Sequence, residues 1–386
     1  MIVIWIGLGL WGYSYVGYPA LLQLLATRNR ATPAAEPLET WPLISITIPA
    51  YNEAASIAET IEAVLAIDYP ADRRQILVIS DASSDGTDEI VARFAPRGVE
   101  LLRMPERRGK TAAENGARTV LTGDIIVNTD ASVRIHPAAI KHLVAAFADP
   151  KVGLASSRDV SVARVDASAN PGEGAYVGYE MWVRGLETRV NGIVGASGSL
   201  YAIRASLHQY ALPEALSRDF AAALVARRFG YRAVSVPAAI CFVPRGVSLR
   251  QEYNRKVRTM TRGLGTLFYM KDLLNPFQHG SFAWMLASHK LCRWLLPWAS
   301  LAIVLALAFE ARRSSAARIM LGAALFGGMA AMVGWLWPAG KKVPRLVAMP
   351  AFAVSGIVAG LNAWYRVFAG RLAPTWEPTR RGTTGS

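Results

Sequence analysis

Acidic residues stand at the ends of three short apolar runs in the first half of the 386-residue chain. Runs of this length, rich in isoleucine and valine and bounded by polar residues, predict buried β-strands. Ligands in open α/β sheets bind beyond the carboxyl ends of the strands, so we expect these carboxylates to converge on one ligand. The acidic residues are Glu53 after the run 44–50, Asp81 at the end of 75–81 and Asp130 at the end of 124–130.

Asp81 and Asp85 lie in one polar turn, Ser80–Thr87, for which two kinds of role are open. An aspartate there can cap the following helix by accepting hydrogen bonds from its amides, with Gly86 easing the bend. We favour that capping role for Asp85. For Asp81 we favour ligand binding, because its carboxylate can accept two hydrogen bonds from a nucleobase or a ribose.

Glu53, Lys110 and Asp130 also have two interpretations each when only their spacing is considered. Glu53 either complements the dipole of a helix that it opens or binds a ligand. Lys110 begins a predicted helix, where it either binds phosphate or belongs to a solvated basic loop. Asp130 either holds a divalent ion beneath a departing diphosphate or caps a helix over 133–147.

Strand-like and helix-like segments alternate along the same half of the chain. This alternation predicts right-handed βαβ crossovers and a mainly parallel sheet in an α/β fold. The length allows one domain over 43–262, preceded by a linker over 28–42 that is rich in alanine and proline. The predicted strands are 44–50, 75–81, 100–104 and 124–130, and the predicted helices are 53–66, 86–95 and 110–121.

Long apolar segments near both ends indicate a membrane protein. The chain is 52% hydrophobic with a mean hydropathy of +0.24, which is high for a soluble enzyme. An uncharged run in segment 1–27 is long enough to cross a bilayer, and Arg28 and Arg30 after it place the next domain in the cytoplasm. Segment 294–370 predicts two or three further spans, and the side of the basic tail 371–386 stays open.

Composition also indicates which partners the chain has. The net charge of +14 suits anionic lipids and a diphosphate substrate. The basic residues are scattered and no groove-reading motif is present, so we expect no nucleic-acid partner. Segment 263–293 mixes aromatic residues with lysine and histidine, which favours helices in the headgroup layer. Cys241 and Cys292 are too few for a zinc site or a disulfide framework.

A series of motifs follows in order along nearly the whole chain. The motifs are Pro49–Glu53, Ser80–Thr87, Gly109 and Lys110 with Asn115, Thr129–Ser132, Gly195–Arg204, Arg218–Phe220, Arg255–Arg258, His289–Pro297 and Asn362–Arg381. In this order they resemble the family 2 glycosyltransferases, a group that includes cellulose, chitin and hyaluronan synthases. The resemblance implies the GT-A fold, a nucleotide-sugar donor and a divalent metal cofactor, Mg²⁺ or Mn²⁺.

The resemblance also implies a role for each matching residue. Asp130 would hold the metal, and Asp219 would be the catalytic base that accepts the proton of the acceptor hydroxyl. Without the motif, we would favour a surface or capping role for Asp219 before a helix over 220–229. The implied donor-binding residues are Tyr51, Glu53, Asp81, Lys110, Asp130, Arg255 and Arg258, and the implied acceptor-binding residues are Gly195, Ala196, Ser197 and Gly198. Arg255 and Arg258 could instead belong to a basic helix on lipid headgroups.

Three departures from the family pattern bear on the reaction. The metal motif Asp-x-Asp is here Asp130-Ala131-Ser132, so the ion has one carboxylate fewer. Arg218 replaces the acidic neighbour of the base, and the Gln-x-x-Arg-Trp motif of processive synthases has no clean counterpart. These departures are compatible with single sugar transfer and weaken the case for a processive polymerase.

The sequence therefore predicts a multi-pass glycosyltransferase of the bacterial inner membrane, with its catalytic domain in the cytoplasm. It would be metal-dependent and inverting. It would transfer a sugar from a nucleotide diphosphate sugar, with UDP the favoured carrier, to a lipid-linked or polysaccharide acceptor, and polysaccharide-export proteins would be further partners. Two alternatives stay open: a processive synthase that exports its product, and a catalytically silent nucleotide-binding subunit.

Overall fold

A computed structural model of the chain describes residues 1–28, 40–162, 171–244, 249–337, 344–372 and 375. Two compact units make up these residues. The α/β unit contains 40–162 and 176–244, and the helical unit contains 1–28, 171–175 and the helices from 249 onward. The predicted domain end at 262 falls inside the helix 249–269, which belongs to the helical unit, and the division into functional domains stays a prediction. Most of the predicted linker 28–42 lies outside the described residues.

The N-terminal segment is helical from residue 2 to residue 28 in three consecutive pieces. Helices α1 (Ile2–Gly12) and α2 (Tyr18–Arg28) are joined by a π-helical turn over Tyr13–Gly17. A helical path of this length rises about 40 Å, enough to cross a bilayer. The helix is thus present, and its insertion in a membrane stays a prediction.

The α/β unit is built on one mixed sheet of eight strands in the order β3-β2-β1-β4-β7-β6-β8-β5. The strands are β1 (Ile44–Ala50), β2 (Arg74–Ser80), β3 (Val99–Arg103), β4 (Ile125–Thr129), β5 (Arg134–Ile135), β6 (Val152–Val162), β7 (Leu200–Arg204) and β8 (Arg232–Pro244). The neighbours β3, β2, β1 and β4 are all parallel, as the alternating pattern predicts. Strand β7 runs antiparallel to β4 and to β6. The carboxyl end of β4 and the turn before β7 therefore lie at the same edge of the sheet.

In the described ranges, seven α-helices connect or cover these strands. They are α3 (Ile57–Leu65), α4 (Thr87–Ala92), α5 (Lys110–Ala117), α6 (Ala139–Ala145), α7 (Pro171–Val190), α8 (Ala205–His208) and α9 (Arg218–Arg228). Strand β1 is buried along its whole length. Its isoleucines lie in the hydrophobic core, and its buried polar residues are hydrogen-bonded: Ser45 Oγ donates to Gln75 Oε1 and Thr47 Oγ1 to Asn128 Oδ1. The predicted helix over 133–147 is wrong, because β5 occupies 134–135 and α6 begins at 139.

The C-terminal part of the helical unit consists of α10 (Leu249–Tyr269), α11 (Pro276–His279), α12 (Ser281–Leu286), α13 (Arg293–Glu310), α14 (Ser315–Trp335) and α15 (Arg345–Phe368). A π-helical turn over Ala287–Cys292 joins α12 and α13. Within the described ranges, three helices are long and apolar enough to cross a membrane: Ser281–Glu310, Ser315–Trp335 and Leu346–Phe368. The first begins at Ser281 rather than at 294 and so overlaps the predicted interfacial segment 263–293, whose place in the headgroup layer stays a prediction.

Helices α1 and α13 pack along each other with close backbone approach. The amino group of Met1 lies 2.9 Å from Oε1 of Glu310, and Trp11 Nε1 donates to Ser300 Oγ at 3.1 Å. A Cβ atom at Gly7 would stand 2.7 Å from Cγ1 of Ile303. Small residues at such contacts are typical of helices that associate in membranes.

Candidate functional site

The loops that follow β1 and β2 are hydrogen-bonded to each other. The amide of Asn52 donates to Ser83 Oγ at 3.1 Å, and the amide of Glu53 donates to Thr87 Oγ1 at 2.9 Å. Asn52 and Ala82 have left-handed backbone conformations, with φ of 51° and 57°. Non-glycine residues adopt this conformation at an energetic cost, and such residues cluster at ligand sites. The two loops thus form one rigid rim at the carboxyl edge of the sheet.

Asp85 has the capping role that we favoured. Its carboxylate accepts hydrogen bonds from the amide of Thr87 at 3.1 Å and from the amide of Ala54 at 3.0 Å, and Gly86 has a φ of 92°. Partial burial would raise the pKa of Asp85. The hydrogen bonds from Thr87 and Ala54 outweigh that effect and hold the pKa below its ordinary value.

Asp81 is buried and anchors the start of α5. Its two carboxylate oxygens accept hydrogen bonds from the amides of Arg108 at 2.9 Å and Gly109 at 2.7 Å. Glu53 lies in the turn before α3, which begins at Ile57, so the prediction that Glu53 opens a helix over 53–66 is wrong. Its Oε2 accepts a hydrogen bond from Ser56 Oγ at 2.6 Å.

Tyr51 follows β1, and the guanidinium of Arg107 lies over its ring, 3.8 Å from the ring centroid. A cation on the face of an aromatic ring is attracted by its quadrupole. Sequence reasoning missed Arg107, although its position just before the Gly109 motif was a usable signal. Tyr51, Asp81 and the loop from Arg107 to Gly109 therefore occupy neighbouring positions on the rim.

Asp130 and Asp219 are brought close together by Lys110 and Gly198. Lys110 Nζ lies 2.5 Å from Asp130 Oδ1 and 3.3 Å from the carbonyl oxygen of Gly198. A Cβ atom built on Gly198 would stand 2.7 Å from Asp219 Oδ2, so the carboxylate of Asp219 rests directly against this glycine. The other Asp219 oxygen accepts a hydrogen bond from Ser217 Oγ at 2.5 Å.

Asp130 does not cap a helix, because a turn and β5 follow it. Its side chain is 42% exposed, which leaves the carboxylate accessible to a ligand. Asp219 lies in the first turn of α9, which begins two residues earlier than the predicted helix.

A fully buried ion pair lies behind these residues. Glu114 Oε2 is 3.0 Å from Arg218 Nε, and the side chains are 0% and 4% exposed. Arg218 also donates to Asn115 Oδ1 at 2.7 Å. The arginine that replaces an acidic residue before Asp219 is therefore tied to α5, which positions the first turn of α9. Sequence reasoning missed this pair because the two residues are far apart in the chain.

Burial and neighbouring charges shift the pKa of two groups in this cluster. Burial alone would lower the pKa of Lys110, but the carboxylates of Asp130 and Glu114 outweigh it, so the pKa lies above its ordinary value. Burial raises the pKa of Glu114, and Lys110 and Arg218 oppose that rise. Lys110 is thus a charged ammonium at neutral pH.

The segment from Gly195 to Gly198 lies in the turn between α7 and β7, where the motif places an acceptor site. Ser197 Oγ donates to the carboxylate of Asp159 in β6, at 2.6 Å from Oδ2. Arg184 in α7 donates to the carbonyl oxygen of Ala196 at 3.2 Å. Burial raises the pKa of Asp159, although Arg184 and the hydrogen bond from Ser197 act in the opposite direction. Sequence reasoning missed Asp159 and Arg184, which no turn or strand end marks.

Arg255 and Arg258 lie on α10 in the helical unit. The Arg255 guanidinium pairs with Glu252 on the same helix at 2.7 Å. Their proposed contact with a diphosphate stays a prediction.

The residues present fit a divalent ion that shares its ligands with a substrate. Within the described part of the chain, no three His, Cys, Asp or Glu side chains gather into a metal-binding group. Mg²⁺ and similar ions are commonly held by one or two carboxylates together with substrate phosphates and water. Asp130 offers one accessible carboxylate of that kind.

Comparisons with known proteins agree with this geometry. Residues 45–180 match the family model described as glycosyl transferase family 2. The chain is 33% identical over 114 residues to the probable glycosyltransferase YdaM of Bacillus subtilis, which covers 28% of this chain and 27% of YdaM. It is also 28% identical over 167 residues to the beta-monoglucosyldiacylglycerol synthase of Trichormus variabilis. This alignment covers 42% of this chain and 36% of that protein. The chain thus aligns with only about a third of the length of these relatives.

One solved structure matches nearly the whole chain. It is the mannosyltransferase PcManGT from Pyrobaculum calidifontis in complex with GDP-Man and Mn²⁺, with a TM-score of 0.71 and 25% identity. The match covers 96% of this chain and 99% of that structure.

Proposed function

We propose that this chain, which carries a family 2 glycosyltransferase domain with the GT-A fold, transfers a sugar from a nucleotide diphosphate sugar to a membrane-associated acceptor. One observation carries the proposal: Lys110 Nζ contacts both Asp130 Oδ1 and the carbonyl oxygen of Gly198, and the carboxylate of Asp219 rests against the same glycine. Sugar transfer needs two carboxylates close together: one to hold a metal ion at the departing diphosphate and one to accept the proton of the attacking hydroxyl.

The rim around Tyr51 and Asp81 suits the nucleotide. Tyr51 offers a ring for stacking, and Asp81 is the buried carboxylate at the base of the same rim. We propose UDP as the carrier. PcManGT binds GDP-mannose, so guanine is the other base to be tested.

Lys110 and Asp130 suit the diphosphate end of the donor. Lys110 stands at the first position of α5, where helix amides and an ammonium both favour phosphate oxygens. A Mg²⁺ or Mn²⁺ ion on Asp130 would neutralise charge on the leaving diphosphate. PcManGT, which was solved with Mn²⁺, supports a divalent ion without choosing between the two.

Asp219 suits the acceptor end. As a general base it would take the proton of the acceptor hydroxyl while that oxygen attacks the anomeric carbon in line with the leaving diphosphate, which inverts the configuration. Because Gly198 has no side chain, the carboxylate of Asp219 can lie directly against its backbone.

We further propose that the acceptor is lipid-linked or a growing glycan and that the enzyme is bound to the bacterial inner membrane. The three membrane-length helices support membrane association. The diacylglycerol-linked product in the name of the Trichormus relative supports a lipid acceptor. A processive synthase is the second candidate, favoured only by the presence of these helices beside a glycosyltransferase domain.

The test is a donor screen on purified full-length protein in detergent, with UDP- and GDP-sugars, Mg²⁺ or Mn²⁺, and a lipid extract. Mass spectrometry should detect one lipid that gains a single sugar. Long glycan products would favour the processive alternative, and neither transfer nor donor hydrolysis with any donor would favour the silent subunit.

A further inference from the structure

Lys110 occupies the place in front of Asp130 that a cation would take. Its ammonium is 2.5 Å from Asp130 Oδ1, and the carbonyl oxygen of Gly198 lies 3.3 Å away on another side. A carboxylate and a carbonyl around one positive charge are the oxygen ligands that hard divalent ions also prefer. The ammonium and a metal ion therefore compete for the same carboxylate oxygen.

The two cations cannot share Asp130 at ionic contact without a large penalty. Two positive charges about 4 Å apart repel by several kcal/mol near a protein surface, and a doubly charged ion increases the repulsion. Because Ser132 replaces the second aspartate of the metal motif, the structure offers no neighbouring carboxylate at that position to offset it. Either the metal binds weakly or Lys110 moves away.

Glu114 offers Lys110 a second position. It lies four residues later in α5, on the same face of the helix, and its Oε1 is 4.0 Å from Lys110 Nζ. Glu114 is fully buried, and among the residues that the structure describes neither of its carboxylate oxygens has a hydrogen-bond partner. Its ion pair with Arg218 occupies the Oε2 side. A shift of about 1 Å by the ammonium would complete a direct hydrogen bond to Oε1.

We propose that Lys110 is an internal counter-cation that exchanges between two carboxylates: it pairs with Asp130 in the metal-free protein and moves to Glu114 when a divalent ion binds Asp130. The exchange keeps the ammonium beside the diphosphate position in both states. It rests on the proposed function only in taking Asp130 as the metal ligand.

The experiment measures Mn²⁺ affinity of the purified, nucleotide-free full-length protein by electron paramagnetic resonance and by calorimetry. Lys110→Met should bind Mn²⁺ about tenfold more tightly than wild type, because a partly exposed ion pair no longer competes. Glu114→Gln should shift affinity in the opposite direction, to about threefold weaker binding, because Lys110 loses its second carboxylate. Lys141→Met is the matched control, since Lys141 forms a separate pair with Asp68 at 2.7 Å, and it should bind like wild type.

Thermal unfolding tests whether each variant is folded. If Glu114→Gln is unfolded, the comparison of Mn²⁺ affinity between Lys110→Met and Lys141→Met decides whether the exchange occurs. Unchanged or weaker Mn²⁺ binding by Lys110→Met overturns the exchange, as does failure of both wild type and Lys110→Met to bind Mn²⁺. These affinities are independent of turnover. Absence of sugar transfer in the donor screen would therefore refute the proposed function and leave the exchange to be decided by metal binding.

Discussion

Gly198→Ala should displace the proposed base, Asp219, without destabilising the fold. The added Cβ atom would stand 2.7 Å from Asp219 Oδ2, and the oxygen must move by about 0.7 Å to reach ordinary contact at 3.4 Å. That oxygen is the end of a side chain that can rotate, and the backbone of Gly198 is not in the left-handed region. The fold can therefore absorb the change, whereas the base is displaced.

The expected magnitude follows from this displacement. A shift near 1 Å in a catalytic group costs about 100-fold in rate, so we expect kcat to fall between about 10-fold and 100-fold. The free energy of unfolding should change by less than about 1 kcal/mol. Nucleotide affinity should change far less than kcat, since the three atoms nearest to the new methyl group all belong to Asp219.

The assay is steady-state transfer with the donor found in the screen, together with urea unfolding and nucleotide titration. Gly185→Ala in α7 is the matched control, because a Cβ atom there meets no atom within 4 Å. It should keep wild-type kcat. Wild-type turnover by Gly198→Ala would refute the placement of Asp219 as the base.

Two further predictions concern the groups around the site. Arg218→Met removes the ion-pair partner of the buried Glu114, so urea unfolding should show that the free energy of unfolding falls by about 3 kcal/mol. The double variant Arg218→Met with Glu114→Met should recover most of that stability. An equal loss of stability in the single and the double variant would contradict the ion pair. Asp85→Ala should lose about 0.5–1 kcal/mol near neutral pH. Folding lowers the pKa of Asp85, so its carboxylate stabilises the fold above the ordinary aspartate pKa, and this stabilisation disappears as the pH falls through the lowered pKa. A stability difference between wild type and Asp85→Ala that persists in acid would contradict this role.

The sheet edge was predictable because its signals are local. The run 44–50 predicts both ends of β1 as observed. The acidic residues after β2 and β4 mark where those strands end. Ser80–Thr87 likewise shows its turn and cap in the residue types alone. Helix lengths were less accurate: α3 begins at Ile57, and before it the amides of Glu53 and Ala54 donate to the neighbouring loop.

The contacts behind the site could not be predicted, because they join distant parts of the chain. The pairing of Glu114 with Arg218 and that of Asp159 with Ser197 depend on how α5, α9, β6 and β7 meet, and no single segment contains that information. The predicted domain end at 262 lies inside α10 for a related reason: α10 packs against α15, a contact between distant parts of the chain that its own sequence does not show.

Asp219→Asn, with turnover and nucleotide affinity measured on the same preparation, tests the central claim most directly. Asparagine keeps the shape of the side chain and cannot accept the proton, so turnover should fall by about 1,000-fold, while nucleotide affinity with Mn²⁺ stays within about twofold of wild type. Turnover at the wild-type rate would contradict the account.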